Sequence, residues 1–179
     1  QAALVRLLAG GHGNLTLVGD PRQLLYGWRG ADACFLLDLP RAFPGARVAA
    51  LDQNFRSTGR ILDLANALGA PGPHAGRLWT ANPPGSPPVF HLARDEAAEA
   101  AWIAGEIARL LRAGAVAVPA EVAVLCRTNG QLPPLAAALR ARGLSPEWST
   151  EAVGVRLGTI HGAKGRDLRV VFGGGVEEG

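Results

Sequence analysis

Apolar residues along this chain fall into alternating runs of helical and strand character. Leu4, Leu7 and Leu8 recur at helical spacing through Gln1 to Leu8, and Gly10-Gly11 closes the run. Leu15 to Val18 reads as a strand stopped by Gly19-Asp20-Pro21. Ala33 to Leu39 predicts a short apolar helix ending at Pro40, and Ala46 to Leu51 a strand. Ser57 to Leu68 opens on a Ser-Thr cap and carries Ile61, Leu62, Leu64, Ala65 and Leu68 at helical spacing. The pattern then lapses. Ala70 to Pro88 is rich in proline and glycine and, at about twenty residues, exceeds an ordinary connection, which predicts an exposed loop anchored by Trp79.

Regularity returns after it. Val89 to Leu92 predicts a strand and Asp95 to Ala113 a long helix with Trp102, Ile103, Ile107, Leu110 and Leu111 on its apolar side. Glu121 to Cys126 reads as a buried strand. Gln131 to Arg142 reads as a helix that tolerates Pro133-Pro134 in its first turn. Val155 to Ile160 and Arg169 to Phe172 complete the strands. Strands alternating with helices predict an α/β fold with a parallel sheet, and no internal repeat is visible.

Composition narrows the class. The 179 residues suffice for one domain or parts of two, and a 48% hydrophobic fraction excludes disorder. No apolar run reaches the roughly 20 residues of a membrane span, and no signal segment opens the chain. Cys34 and Cys126 lie far apart in apolar segments, which predicts buried free thiols in a reducing, cytoplasmic setting. No CxxC or other metal spacing occurs. A net charge of +3 does not by itself diagnose nucleic-acid binding. Every basic residue except Lys164 is arginine, which forks onto phosphates and stacks on bases; a GC-rich genome accounts for the same bias. Methionine is absent, which predicts a fragment or processed piece.

Four stretches concentrate chemistry. In the first, Asp20 can cap and Pro21 can open a helical turn, and Gln23, Tyr26, Trp28 and Arg29 follow within seven positions. On a helix Gln23 and Trp28 stand roughly 140° apart, so one element can offer an amide to one ligand and rings to another. A turn with a buried Tyr and Trp is the alternative. In the second, Asn54-Phe55-Arg56-Ser57 sits where a predicted strand enters a helix, a natural phosphate site, with an arginine fork and an aromatic face. A helix cap with a surface arginine fits equally. The third, Arg127-Thr128-Asn129, ends a buried strand; an Asn-capped helix is the other reading of Asn129. In the fourth, Gly158 to Asp167, small residues admit a ligand close to the backbone while Thr159, His161 and Lys164 supply donors. It is not a P-loop, because Gly165 follows Lys164.

Together these stretches resemble the UvrD/Rep/PcrA-type superfamily 1 DNA helicases. Val18 to Ala31 resembles motif III, V-G-D-x-x-Q-S-I-Y-G-W-R-G-A, with Leu24 and Leu25 replacing Ser-Ile. Gln53 to Thr58 resembles motif IV, Q-N-Y-R-S-T, with Phe55 for Tyr. Val122 to Asn129 is similar to the family's V-A-V-L-x-R-T-N segment. Thr159 to Leu168 resembles motif V, T-x-H-x-A-K-G-L-E-F, with Arg166, Asp167 and Leu168 where Leu, Glu and Phe are usual. The resemblance implies that Gln23 senses the ATP γ-phosphate, Phe55 stacks on adenine and Arg56 meets the γ-phosphate. It implies an Asp167 contact to the ribose, which the shorter side chain puts in question, and support of the active interface by Lys164. It implies that Tyr26, Trp28, Arg29, Arg127, Asn129, Thr159 and His161 meet single-stranded DNA.

The same resemblance frames the architecture. It implies a RecA-like fold, with residues 1–50 as the tail of one RecA-like domain, 1A, and 51–179 as most of the next, 2A. ATP would lie between them. The chain contains no Walker A sequence, no D-E-x-Q and no motif VI, so ligands for Mg2+ would lie outside it and the 179 residues alone would not hydrolyse ATP. Residues 130–154 alone separate Asn129 from the motif V strand, where UvrD, Rep and PcrA carry an accessory domain called 2B. The expected parent is an ATP-dependent 3′→5′ DNA helicase acting on single-stranded DNA and duplex junctions, away from membranes. The rival is a non-catalytic RecA-fold module that binds nucleic acid or a protein partner.

Overall fold

The computed structural model describes residues 2–9, 11, 13–20, 23, 25, 27, 39–69, 76–149, 151 and 153–176. The chain divides into two compact units, Gln1–Val89 and Phe90–Gly179.

Three helices are described in the first unit: α1 (Ala2–Ala9), α2 (Leu39–Ala42) and α3 (Gly59–Leu68). The apolar spacing of α1 made a helix, yet Leu4, Leu7 and Leu8 are exposed and, among its described side chains, only Ala9 is buried. Pro40 lies inside α2 rather than ending a helix, and residues 33–38 of the expected helix lie outside the described residues. The strands expected at Leu15 to Val18 and Ala46 to Leu51 are not formed. A strand needs a neighbour to take up its N–H and C=O groups. Among the described residues of this unit the one ladder contact is an isolated parallel bridge between Gln53 and Trp79.

The expected loop is better tied than its composition implies. Residues 70–75 lie outside the described residues, but 76–85 is fastened to α3. Asn66 clamps Leu78, donating to its carbonyl at 2.9 Å and accepting from its N–H at 3.0 Å. Trp79 anchors by backbone, not ring: its N–H donates to Asp52 and its carbonyl accepts from Asn54, while the side chain stays half exposed. Thr58 occupies the N-cap of α3 but its hydroxyl makes no capping bond. The carbonyls of Pro83 and Pro84 take the first helical N–H groups instead, those of Gly59 (3.2 Å) and Arg60 (2.9 Å).

The second unit is an α/β layer. The strand expected at Val89 to Leu92 is absent, and Val89, Phe90 and Leu92 are exposed. α4 (Glu96–Arg112) follows the predicted bounds closely; the Asp95 carboxylate caps it by accepting from the Ala98 N–H at 2.7 Å. β1 (Val122–Cys126) is buried at every position, as befits a central parallel strand. A short 3-10 turn, Asn129–Gln131, leads into α5 (Leu132–Ala141), whose prolines sit in the first turn. β2 (Pro146–Glu147), which the apolar pattern did not signal, precedes β3 (Val155–Thr159) and β4 (Val170–Gly173).

All pairings are parallel, in the order β2-β3-β1-β4. Val122, Val124 and Cys126, on one face of β1, pack with Ile103 and Ile107 of α4, Leu135 and Leu139 of α5, and Val155 and Leu157 of β3. Burying each such aliphatic side chain is worth about 1.5–3 kcal/mol, so this face holds the sheet in place. The parallel sheet with flanking helices agrees with the RecA-like α/β class expected from sequence. None of the described helices is long and apolar enough to cross a membrane.

Candidate functional site

Parallel pairing sets two strand ends side by side. Cys126 at the end of β1 is the register partner of Thr159 at the end of β3, and the Ile160 N–H donates to the Cys126 carbonyl at 2.9 Å. Arg127 and Asn129 leave one strand, and Thr159 and His161 the other. Open α/β sheets bind ligands beyond such carboxyl ends. Arg127 and Asn129 are exposed, while Thr159 and His161 are half-buried. Asn129 does not cap the helical turn. Thr128 is the N-cap, and the Gln131 side-chain oxygen accepts from its N–H at 3.0 Å and its hydroxyl at 3.2 Å.

Beyond β3 the chain winds into a tight turn. The Thr159 hydroxyl oxygen accepts from the Gly162 N–H at 3.2 Å and its carbonyl from the Ala163 N–H at 3.1 Å. The His161 carbonyl accepts from Lys164 and that of Ala163 from Arg166. Gly165 takes a left-handed φ of 81°, which favours glycine. Thr159 therefore shapes the turn with its oxygen and keeps its hydroxyl proton for donation. Lys164 and Asp167 are exposed.

Trp148 is the residue that sequence reasoning missed. Its ring lies on Gly158 so closely that a Cβ there would stand 2.8 Å from Cε3, and 3.7 Å separates its Cζ2 from a Cβ built on Gly162. The Arg166 guanidinium sits over the same ring, 5.7 Å from the centroid. Arginine where the family pattern has an apolar residue thus packs by its planar face on an aromatic partner. The available signal was Gly158, an isolated glycine within a strand, which marks close approach of another group.

In the first unit the Asn54 side-chain oxygen accepts from the N–H groups of Arg56 (3.0 Å) and Ser57 (2.7 Å). Asn82 closes the turn from outside, donating to the carbonyls of Phe55 (3.1 Å) and Ser57 (3.2 Å). Phe55 is 78% exposed and Arg56 is exposed. The expected strand mouth and helix N-terminus do not supply a phosphate cradle here: no strand precedes the turn, and the N–H groups of Arg56, Ser57, Gly59 and Arg60 are all engaged. What the turn offers is a ring and a guanidinium. These suit adenine and phosphate by side chain alone.

Gln23 is exposed, and its side-chain amide donates to the Asp20 carboxylate at 2.8 Å. Tyr26, Trp28 and Arg29 lie outside the described residues. Among the described residues no cluster of His, Cys, Asp and Glu could hold a metal ion. Cys126 is a buried free thiol whose pKa is raised by burial first and by Glu99 next, which makes it a poor nucleophile.

Two family profiles match the chain: the UvrD/REP helicase N-terminal domain over residues 1–44 and the UvrD-like helicase C-terminal domain over residues 49–149. The ATP-dependent DNA helicase UvrD2 of Mycobacterium tuberculosis (strain ATCC 25618 / H37Rv) is 43% identical over 150 residues, 81% of this chain and 21% of the relative. DNA helicase II of Escherichia coli (strain K12) is 40% identical over 133 residues, 73% of this chain and 18% of the relative. The ATP-dependent DNA helicase PcrA of Staphylococcus epidermidis (strain ATCC 12228 / FDA PCI 1200) is 40% identical over 134 residues, again 73% and 18%. The chain thus spans about a fifth of the length of the curated relatives it matches.

Proposed function

The chain belongs to the UvrD-like helicase family, and on that premise we propose that it forms part of an ATP-dependent DNA helicase that moves 3′→5′ on single-stranded DNA. The observation that carries the reading is the pairing of β1 with β3, which brings Arg127, Asn129, Thr159 and His161 out at neighbouring strand ends. A guanidinium, an amide, a hydroxyl and an imidazole suit phosphate and sugar oxygens without reading sequence. In this reading residues 1–50 belong to domain 1A and 51–179 to domain 2A. Tyr26, Trp28 and Arg29 would offer stacking surfaces and a phosphate contact to single-stranded DNA from the first unit.

ATP, when bound, supplies the phosphoanhydride bond whose hydrolysis drives movement. Of this chain's residues, Phe55 would receive the adenine face, Arg56 the γ-phosphate charge, and Asp167 the ribose. Gln23 would sense the γ-phosphate by exchanging its bond to Asp20 for the nucleotide. Mg2+ and its ligands are assigned to residues beyond these.

The test is binding of a fluorescently labelled oligo-dT to the chain at several salt concentrations. Arg127→Ala should weaken binding and reduce the salt slope by about one phosphate contact. His161→Ala should weaken binding with a smaller change of slope. Affinity and slope unmoved by both substitutions would reject the DNA-contact surface.

A further inference from the structure

We propose that Trp148 is a positioning residue for the DNA-contacting turn after β3, holding Thr159 to Gly165 in shape through its ring. The proposal rests on the reading that Thr159 and His161 meet DNA. Three observations converge on the ring. Gly158 lies within β3 and lacks the Cβ that would otherwise meet Trp148 at 2.8 Å. Gly162, inside the turn, faces the far edge of the same ring, where a Cβ built on it would stand 3.7 Å from Cζ2. Arg166, one residue past the left-handed Gly165, covers the ring from the turn's other end. One indole thus lies on the residue before the turn, stands near its middle and meets the arginine at its exit.

The backbone bonds within the turn are all short-range: Ala163 to Thr159 and Ile160, Lys164 to His161, and Arg166 to Ala163. The two contacts that begin it, Gly162 N–H to the Thr159 hydroxyl and Ala163 N–H to the Thr159 carbonyl, are local, and a turn of this length is marginal without packing. Trp148 follows β2, whose Glu147 pairs with Arg156 of β3, so the sheet itself delivers the indole alongside the strand end. The half-buried ring is wide and stiff, which fixes the turn more tightly than an aliphatic side chain would. Trp148 acts through Thr159 and His161; it is not assigned a contact of its own with DNA.

Amide hydrogen exchange and oligo-dT binding, measured on the 179-residue chain, test the proposal. In Trp148→Ala, exchange at the Gly162 and Ala163 amides should speed up while core amides such as Val124 and Leu157 stay protected. Affinity for oligo-dT should fall about tenfold, the scale of one lost nucleic-acid contact. Trp148→Phe, which keeps a ring on Gly158, should restore most of both. Unchanged exchange at Gly162 and Ala163 in the alanine variant would overturn the positioning role. So would equal acceleration at the core amides, which would make Trp148 a general stability residue. A locally loosened turn with full affinity, in a chain where Arg127→Ala and His161→Ala do lose affinity, would overturn the link to DNA. If those two also bind normally, the DNA reading itself falls, and the positioning of the turn is decided by the exchange rates alone.

Discussion

The halves of this chain use similar sequence patterns and reach different ends. In residues 90–179 the apolar stripe of α4 lands on a sheet, and Ile107 and Leu139 are fully buried. In residues 1–89 the stripe of α1 faces outward, with Leu7 at 81% and Leu8 at 69% exposure. Among the described residues of the first half, only Ala9 and Leu62 are buried apolar side chains. Four paired strands separate the two cases: the second half contains its sheet, and the described part of the first holds a single bridge. The first half is held instead by amide side chains on backbone, with Asn54, Asn66 and Asn82 each making two such bonds. An amphipathic pattern fixes which face of a helix is apolar. Whether that face is buried depends on a partner elsewhere in the chain.

The largest expected effect tests that contrast directly. Leu139→Ala should cost about 2–5 kcal/mol in urea unfolding, because it opens a cavity in a closed core. Leu7→Ala should change stability by less than about 0.5 kcal/mol, as at an ordinary surface position. Comparable losses at both sites would break the comparison. Next comes overpacking at the edge of the same core. Gly158→Ala places a methyl against the Trp148 ring and should cost about 1–3 kcal/mol, whereas Trp148→Ala added to it should recover part of the loss. Urea midpoints of the single and double variants measure this; additive losses would show that ring and methyl do not meet.

Sequence reading succeeded where the determining information is local. Asp95 before a periodic apolar run marked α4 within a residue or so, and the continuous apolar run Val122 to Cys126 marked a central strand. It failed at Leu15 to Val18, Ala46 to Leu51 and Val89 to Leu92, which have strand-like runs but no ladder. A ladder is a property of two segments, and a run of apolar residues states only one of them. The same limit divides the candidate site. Strand ends could be located from Cys126-Arg127 and Gly158-Thr159, so the residues near them could be singled out. Trp148 and Asn82 carry no local signal. Their roles lie in what they touch, and Asn82 reaches the Phe55 carbonyl across 27 residues of sequence.

A smaller effect sharpens the contrast from the first half. Asn66→Ala removes the donor and the acceptor that clamp Leu78. Each net hydrogen bond is worth about 0.5–1.5 kcal/mol, so the local opening free energy should fall by about 1–2 kcal/mol. Faster proteolytic cleavage within residues 76–85 reads this out, with residues 90–179 left as resistant as before. Asn66→Asp is the finer probe. It keeps an acceptor for the Leu78 N–H but sets a carboxylate oxygen against the Leu78 carbonyl, so it should rescue little. Protection of 76–85 that survives both substitutions would place the fastening at Trp79 and Asn82 instead.

The smallest expected effect concerns charge at the entrance to β1. Glu121 has its pKa lowered, chiefly because its carboxylate accepts from the Ala117 N–H at 2.9 Å. Arg169, 3.1 Å from the other oxygen, contributes less. Both favour the ionised form in the folded state. A carboxyl whose folded pKa lies below its unfolded value stabilises the fold above the unfolded value, about 4.3 for glutamate, and loses that contribution as pH falls through the folded one. Residues 90–179 should therefore soften on acidification below that point, and Glu121→Gln should flatten this part of the curve while the two proteins converge at the acid end. The order of causes is testable by itself. Arg169→Gln should leave most of the depression in place, since the backbone N–H remains, and added salt should do likewise, since it screens the exposed ion pair but not the hydrogen bond. An NMR titration of the Glu121 carboxyl in Arg169→Gln decides between them. A return to the ordinary glutamate range would assign the shift to the ion pair, and the acid sensitivity of this half would then be a surface property separable from its core.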